Sequence, residues 1–183
     1  TRNKDGNEDL SARTFKRSVL TDITEHRVVA EKSVVREAFV MKQSVLVVAP
    51  ARAECERLYK ELKHGIGDRT ILLASGIGKK RITDALEILS QTKHPVLVVA
   101  TPAFAHIARE DLGIIILESA RSSGYKRRRR PYVDYARSLE HLARIRKLHI
   151  IFADTLPKTE QEFLIREKEA VPVLTHPHRL ALP

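Results

Sequence analysis

Cysteine is almost absent from this chain of 183 residues, and the absence excludes several classes of protein. A single cysteine, Cys55, permits neither a disulfide framework nor a metal site built from several thiolates, and it indicates a reducing compartment. No stretch approaches the roughly 18 consecutive apolar residues of a membrane helix, and no signal-peptide pattern is present. Thr1 in place of Met indicates a segment of a longer protein. We therefore expect a cytoplasmic location and no membrane partner.

Glycine-rich phosphate loops are also missing. The chain contains neither GxxxxGK[ST] nor GxGxxG, and its close glycine pairs are Gly65/Gly67 and Gly76/Gly78. The stretch 76–80 opens a predicted helix and could bind an anion through N-terminal N–H groups, but a turn followed by two solvated lysines is the simpler interpretation. The sequence therefore predicts no conventional nucleotide-binding loop.

Reactive side chains do not cluster either. Cys55 has no identifiable charged catalytic partner, so we interpret it as a half-buried helix residue. His176 and His178 form a close pair, but no third ligand accompanies them, and a loop pair is favoured over a zinc site. No GxSxG elbow surrounds the serines, which argues against nucleophilic catalysis. We therefore expect neither a metal nor another cofactor.

Positive charge is the abundant feature. The chain has 33 Lys and Arg against 23 Asp and Glu, which gives a net charge of +10 and a pI near 9.9. This balance favours a polyanionic partner, most simply nucleic acid, with an anionic membrane surface as the weaker option.

The positive charge is concentrated between residues 121 and 137, where a single acid, Asp134, accompanies seven basic residues and three tyrosines. Arginine offers bidentate phosphate contacts, and tyrosine offers a stacking face for a base. We therefore predict a nucleic-acid-binding site made of Tyr125, Lys126, Arg127, Arg128, Arg129, Arg130 and Arg137. A solvated loop with incidental charge is the alternative.

Hydrophobic periodicity predicts alternating strands and helices. Apolar runs predict strands at 18–20, 44–49, 70–74, 95–100, 113–117 and 148–153. Helical spacing predicts helices over 28–41, 51–63, 79–91, 134–147 and 158–170. In the first of these helices we expect Val28, Val29, Val34, Val35, Ala38 and Phe39 to face the sheet, and in the last we expect Phe163 and Leu164 to do so.

This alternation is typical of an α/β domain with a doubly wound, mostly parallel sheet and helices on both faces. We divide the chain into a flexible lead-in at 1–13, an α/β lobe at 14–171 and a proline-punctuated tail at 172–183 that leads to a missing segment.

The strand ends, taken in order, resemble the helicase motifs of the PriA family of primosomal replication-restart helicases. GIIILESARSSGYK followed by RPYVDYAR is similar to the family's LGLIIVDEEHxSSYKQ followed by PRYHARD, and IIFADTLPKTEQEF is similar to VVLGSATPSLES. VLVVAPARAE, ASGIGKKRITDAL and VLVVATPAFA resemble VLVLVPEIxL, HSGLSxxER and IVVGTRSALF. The similarity is collinear over roughly 17–180. It implies the first RecA-like lobe of a DNA helicase, of the P-loop NTPase-like class, with single-stranded or forked DNA and other replication proteins as partners.

The chain departs from this family where ATP chemistry takes place. The family's phosphate loop, GVTGSGKT, aligns with residues 22–29, so the vestigial nucleotide-binding positions are Thr24, Glu25, His26, Arg27, Val28 and Val29. Of the DEEH acids only Glu118 remains, as a vestige without a catalytic role. The third motif is altered to Ala153-Asp154-Thr155-Leu156-Pro157.

The leading hypothesis is therefore a DNA-binding, helicase-type lobe that does not hydrolyse ATP by itself. Two alternatives stay open. One is a lobe of an active ATP-dependent helicase that holds ATP and magnesium in an unusual way, and the other is a protein-protein scaffolding module whose arginine loop meets an acidic partner.

Overall fold

The computed structural model describes residues 13–64 and 66–173. These residues form a sheet of seven parallel strands with helices on both faces. The strands, together with the two short strands of a separate hairpin, are β1 (Lys16–Thr21), β2 (Ser44–Val48), β3 (Thr70–Leu73), β4 (Leu97–Ala100), β5 (Leu112–Glu118), β6 (Lys126–Arg127), β7 (Val133–Asp134), β8 (His149–Asp154) and β9 (Val171–Val173). The helices are α1 (Thr24–Val40), α2 (Arg52–Lys63), α3 (Lys79–Gln91), α4 (Tyr135–Ile145) and α5 (Thr159–Arg166).

The sheet has the strand order β3-β4-β2-β5-β8-β1-β9, with every neighbouring pair parallel. Right-handed crossovers place α1 and α2 on one face and α3 and α4 on the other. Two buried apolar clusters match these faces, one containing Val35 and Leu58 and the other containing Leu89 and Leu139. The predicted doubly wound α/β fold is confirmed.

The central strands are buried on both faces. All seven residues of β5 and all five of β2 are buried, which is why their sequences are continuous apolar runs rather than alternating ones. Helices cover both sides, and the carboxyl ends of the strands lie along one edge of the sheet. Side chains that come directly after the strands are therefore brought together at that edge.

Helix α1 begins at Thr24, four residues before the start at residue 28 that periodicity predicts. Its buried side chains are Arg27, Val28, Glu31, Val35 and Ala38, so two charged residues occupy the face that packs on the sheet. Two inward-facing predictions are wrong, because Val29 is 63% exposed and Phe163 is 60% exposed.

The edge strand β9 pairs with β1 through the register Ser18 to Val171 and Leu20 to Val173. Pro172 cannot donate a backbone hydrogen bond, and an edge position tolerates it. The sheet thus extends two residues into the segment predicted as tail. The remaining tail residues, 174–183, which include His176 and His178, and the lead-in residues 1–12 lie outside the described part of the chain. No helix over 13–64 or 66–173 is both long and apolar enough to cross a bilayer.

Candidate nucleic-acid interface

Three of the segments that align with helicase motifs meet at the carboxyl edge of the sheet. Asp22 comes directly after β1, Glu118 ends β5 and Asp154 ends β8, and these three strands are neighbours. Arg27, in the first turn of α1, bonds to all three segments. Its guanidinium donates to Glu118, to the backbone oxygen of Asp22 at 2.8 Å and to Thr155 Oγ1 at 3.3 Å. Arg27 therefore joins the ends of β1, β5 and β8 in one hydrogen-bonded network.

The central contact is a buried, two-pronged ion pair. Arg27 Nε donates to Glu118 Oε1 at 3.1 Å, and Arg27 Nη2 donates to Glu118 Oε2 at 2.9 Å. The two side chains are 4% and 0% exposed. Burial alone would lower the pKa of the Arg27 guanidinium, but the hydrogen bonds and charge of Glu118 outweigh it and raise that pKa above its usual value. Arg27 is therefore charged, and Glu118 is its main partner.

A second carboxyl group lies next to this pair. Glu31, one turn after Arg27 on α1, is fully buried, and neither of its carboxyl oxygens has a hydrogen-bond donor among the described residues. Burial, and after it the charge of Glu118, raises the pKa of Glu31 well above its ordinary value. A neutral Glu31 can donate its proton to Glu118.

The residues at this edge do not fit a magnesium nucleotide. A GxxxxGK[ST] loop surrounds phosphates with backbone N–H groups between a strand and a helix, whereas only Asp22 and Ile23 separate β1 from α1 here. The N–H of Ile23 donates to Asp22 Oδ1 at 2.7 Å, and the Asp22 carboxylate also contacts His26 Nδ1 at 3.0 Å. The predicted vestigial residues 24–29 form the first turns of α1 rather than a loop.

The remaining motif acids are also used internally. Asp154 accepts from the backbone N–H of Arg121 at 2.8 Å and from that of Thr155 at 2.7 Å. Ser119, at a positive φ of 49°, donates its hydroxyl proton to Glu54 Oε1. These contacts fix the turn after β5. Both carboxylate oxygens of Asp154 accept a backbone hydrogen bond.

Tyr125 anchors the chain beyond this turn, and its assignment to a nucleic-acid-binding surface is wrong. Its ring is 1% exposed, so no base can stack on it. Its hydroxyl lies 2.7 Å from the backbone oxygen of Val48 and 2.6 Å from that of Glu118, and it shares its one proton between them. Burial in particular raises the pKa of Tyr125 well above its usual value, so the hydroxyl stays a donor.

The backbone before this anchor also packs closely. A Cβ on Gly124 would lie 2.8 Å from Pro50 Cβ and 3.2 Å from the Pro50 backbone oxygen, so only glycine fits there. Ser122 Oγ accepts from the Gly124 N–H at 3.1 Å and closes the turn. The SSGY segment thus attaches residues 126–134 to the ends of β2 and β5.

Residues 126–134 form a small antiparallel hairpin of β6 and β7, in which Lys126 pairs with Asp134 and Arg127 with Val133. We call these residues the cationic hairpin. Its one acid, Asp134, accepts from the Arg137 N–H at 3.1 Å as the N-cap of α4. Over residues 13–64 and 66–173, none of the six predicted cations makes an ion pair or a side-chain hydrogen bond. All six are exposed: Lys126, Arg127, Arg128, Arg129, Arg130 and Arg137.

The aromatic side chain available on this surface is Tyr132, which is 73% exposed. The sequence places it among the arginines, but the predicted site does not include it. The sequence signal that distinguishes the buried Tyr125 from the exposed Tyr132 is the SSGY turn at 122–125, because its glycine lets the backbone pack against Pro50. Tyr132 therefore replaces Tyr125 as the candidate stacking residue.

Neither a reactive thiol nor a metal-binding cluster is found among the described residues. Cys55 is fully buried, and burial above all raises its pKa to about 12, so the thiol is inert. Over 13–64 and 66–173, no group of three or more His, Cys, Asp or Glu side chains could hold a metal ion.

Comparison with known proteins identifies the fold. No protein-family model matches the chain, and no curated protein matches it in sequence. Among solved structures, the C-terminal domain of the S. cerevisiae DEAD-box protein Dbp5, bound to Gle1 and IP6, is 13% identical with a TM-score of 0.61, covering 88% of this chain and 91% of that one. The E. coli DEAD-box protein SrmB, bound to the regulator of ribonuclease activity A, is 15% identical with a TM-score of 0.56, covering 93% and 98%.

Domain 2 of the DEAD-box helicase Mss116p, bound to an RNA duplex, is 11% identical with a TM-score of 0.56 and covers 87% of this chain and 64% of that one. At this level of identity the similarities show the fold alone, which is the RecA-like fold of a helicase lobe. Two of these structures are a C-terminal domain and a domain 2, so correspondence to a first lobe stays a prediction.

Proposed function

We propose that this RecA-like, helicase-type lobe binds nucleic acid through the cationic hairpin and does not hydrolyse ATP by itself. The observation that carries the proposal is the row of exposed cations at 126–130, none of which has an acidic partner in the described structure. Adjacent like charges repel one another, and a polyanion relieves that repulsion. Phosphate groups are the ligand that such a row fits best.

Two features of the hairpin support binding to a single strand. Arginine guanidinium groups contact phosphates in a bidentate way, and Tyr132 presents an exposed ring on which a base can stack. From the resemblance to the PriA family we propose single-stranded or forked DNA as the ligand, replication restart as the process and other replication proteins as partners in the cytoplasm. Because Mss116p domain 2 is bound to an RNA duplex, RNA is included as a comparison in the test.

The second part of the proposal rests on the buried cluster at the carboxyl edge. Arg27 and Glu118 satisfy each other, and Asp22 places a carboxylate at the short connection where a phosphate would need N–H donors. A triphosphate at residues 22–29 would meet the carboxylates of Asp22 and Glu25 and no lysine, since that stretch contains none. Isothermal titration with Mg-ATP should therefore give no binding heat, whereas micromolar binding would favour the alternative of an active helicase lobe.

The nucleic-acid proposal is tested with two variants that each remove two positive charges. Arg128→Gln/Arg129→Gln changes the hairpin, and Arg36→Gln/Lys60→Gln changes exposed positions on α1 and α2, on the other face of the sheet. Binding to a fluorescent oligothymidine is measured by anisotropy at several salt concentrations. We expect the hairpin variant to lose affinity and to reduce the slope of log K against log[salt] by about 0.7 per lost phosphate contact.

The control variant should bind like the wild type except for a small, general effect of the lower net charge. Equal behaviour of the two variants would refute the hairpin assignment. Replacing the oligonucleotide by a single-stranded RNA and by an acidic peptide distinguishes the proposed ligand from RNA and from a protein partner.

A further inference from the structure

A cleft of about 320 Å³ lies between α4 and α5, at the base of the cationic hairpin. Five side chains that carry or can carry positive charge line it: Lys126, Arg137, His141, Arg144 and Lys158. Only the first two belong to the predicted interface. The other three lie on α4 or directly before α5, and neither the sequence motifs nor the proposed hairpin contact accounts for them.

Two of the three acids that line the cleft have partners elsewhere. Glu140 accepts from Arg17 Nε at 2.8 Å, and the same guanidinium reaches Glu169 at 3.0 Å. Asp134 caps α4 through the backbone N–H of Arg137. Glu160 is the third acid, and it is exposed at the start of α5. The cations, by contrast, make no ion pair with any residue of 13–64 or 66–173, so the cleft has an excess of uncompensated positive charge.

Helical spacing directs the cations of α4 toward the cleft. Arg137, His141 and Arg144 are related as i, i+4 and i+7, which places them on one face of the helix. The Arg144 guanidinium itself lies over the Phe15 ring, 5.5 Å from the ring centroid. Lys126 enters from the hairpin side, which makes the cleft continuous with the cationic hairpin.

We infer that the α4–α5 cleft is a second phosphate-binding site, which accepts backbone phosphates of the strand held by the cationic hairpin. The ligand class is a phosphate or pyrophosphate group, and its identification as nucleic-acid backbone rests on the proposed function. In this arrangement the strand passes from Arg127 and the loop after it, past Lys126, to Arg144 and Lys158. The hairpin and the cleft then form one continuous track.

The test compares three variants that each remove two positive charges: Arg144→Gln/Lys158→Gln in the cleft, Arg128→Gln/Arg129→Gln in the hairpin and Arg36→Gln/Lys60→Gln as the control on the opposite face. Oligothymidine affinity is measured at 50 and 200 mM salt, with unfolding curves to verify that each variant is folded. Two lost phosphate contacts should reduce the affinity ratio between these salt concentrations roughly sevenfold, from a slope of about 0.7 per contact. Arg144→Lys, which keeps the charge, should retain the wild-type ratio.

A cleft variant that behaves like the control while the hairpin variant loses affinity would overturn the inference and leave the proposed function standing. If the cleft and hairpin variants both lose oligothymidine affinity while the control does not, the inferred phosphate site in the cleft is supported. Titration with pyrophosphate, monitored through the NMR signals of α4, separates the two claims. If pyrophosphate shifts the NMR signals of residues 137–144, the cleft is a phosphate site even if oligothymidine does not bind. If pyrophosphate shifts no signal of α4 and the cleft variant binds oligothymidine like the control, the phosphate site is refuted.

Discussion

Replacing Arg27 by methionine tests the buried ion pair directly. The substitution keeps an unbranched side chain of similar length but removes every contact that the guanidinium makes with Glu118, Asp22 and Thr155. Glu118, which is 0% exposed, would then be a buried carboxylate without a counter-charge, next to the buried Glu31. We expect a large loss of stability at neutral pH.

The size of the loss can be derived from the burial of both partners. Breaking a buried ion pair by removing one partner costs about 3–5 kcal/mol, because the other charge remains desolvated. Each kcal/mol lowers the midpoint temperature of a domain of this size by about 2–4 °C, so the expected decrease is about 6–20 °C. Arg36→Met, on an exposed position of the same helix, should stay within about 0.5 kcal/mol of the wild type.

Urea unfolding at pH 7 measures both variants and the double variant Arg27→Met/Glu118→Gln. The double variant removes the orphaned charge and should be more stable than Arg27→Met alone. The reasoning is refuted if Arg27→Met costs no more than Arg36→Met, or if the second substitution adds its own loss to the first.

Three further predictions concern the buried Glu31 and Tyr125 and the exposed Tyr132. Because the folded pKa of Glu31 is raised above its unfolded value, the stability that its neutral form provides is fully present below about pH 4.5 and is lost as the pH rises through the folded pKa. Glu31→Gln should therefore have the same free energy of unfolding as the wild type at pH 4 and a higher one above pH 4, by up to about 1.4 kcal/mol per pH unit. Urea titrations from pH 4 to 8 measure this difference. The exposed control Glu37→Gln should follow the wild type at every pH, and the same behaviour of Glu31→Gln would contradict the prediction. Tyr125→Phe should lower the free energy of unfolding by about 1–3 kcal/mol without changing the oligothymidine affinity of the folded protein, since it removes only a buried hydroxyl. Tyr132→Ala should weaken oligothymidine binding by about 1–3 kcal/mol and leave the free energy of unfolding unchanged. If both tyrosine variants changed affinity and stability in the same way, Tyr132 could not be the stacking residue in place of Tyr125.

The strands could be predicted from the sequence because burial on both faces leaves a clear trace. SVLVVA and LGIIILE are continuous apolar runs, and the structure places them in the middle of the sheet as β2 and β5. Alternation with helices then fixes a parallel topology, since parallel neighbours need crossovers. Exposure of 126–130 is also expected from composition, because five cations cannot be buried together.

The face of α1 could not be predicted in the same way. Its apolar pattern counts Val29 as inward and Glu31 as outward, and the structure has them reversed. The cause is a contact between residues 27 and 118, which are far apart in the chain. A buried charge becomes favourable only once its partner is present, so helical periodicity contains no trace of it. Tyr125 is a similar case, because its burial depends on carbonyl groups of β2 and β5.

The two-residue connection between β1 and α1 also has an evolutionary consequence. A phosphate-binding loop could form at this edge only if the first turns of α1 unwound, because residues 24–29, which align with the family's loop, are helical. Arg27 and Glu118 would have to be replaced together, since each intermediate leaves one buried charge unpaired at a cost of about 3–5 kcal/mol. A descendant of this lobe can therefore change its ligand through the exposed hairpin far more readily than it can acquire a nucleotide site.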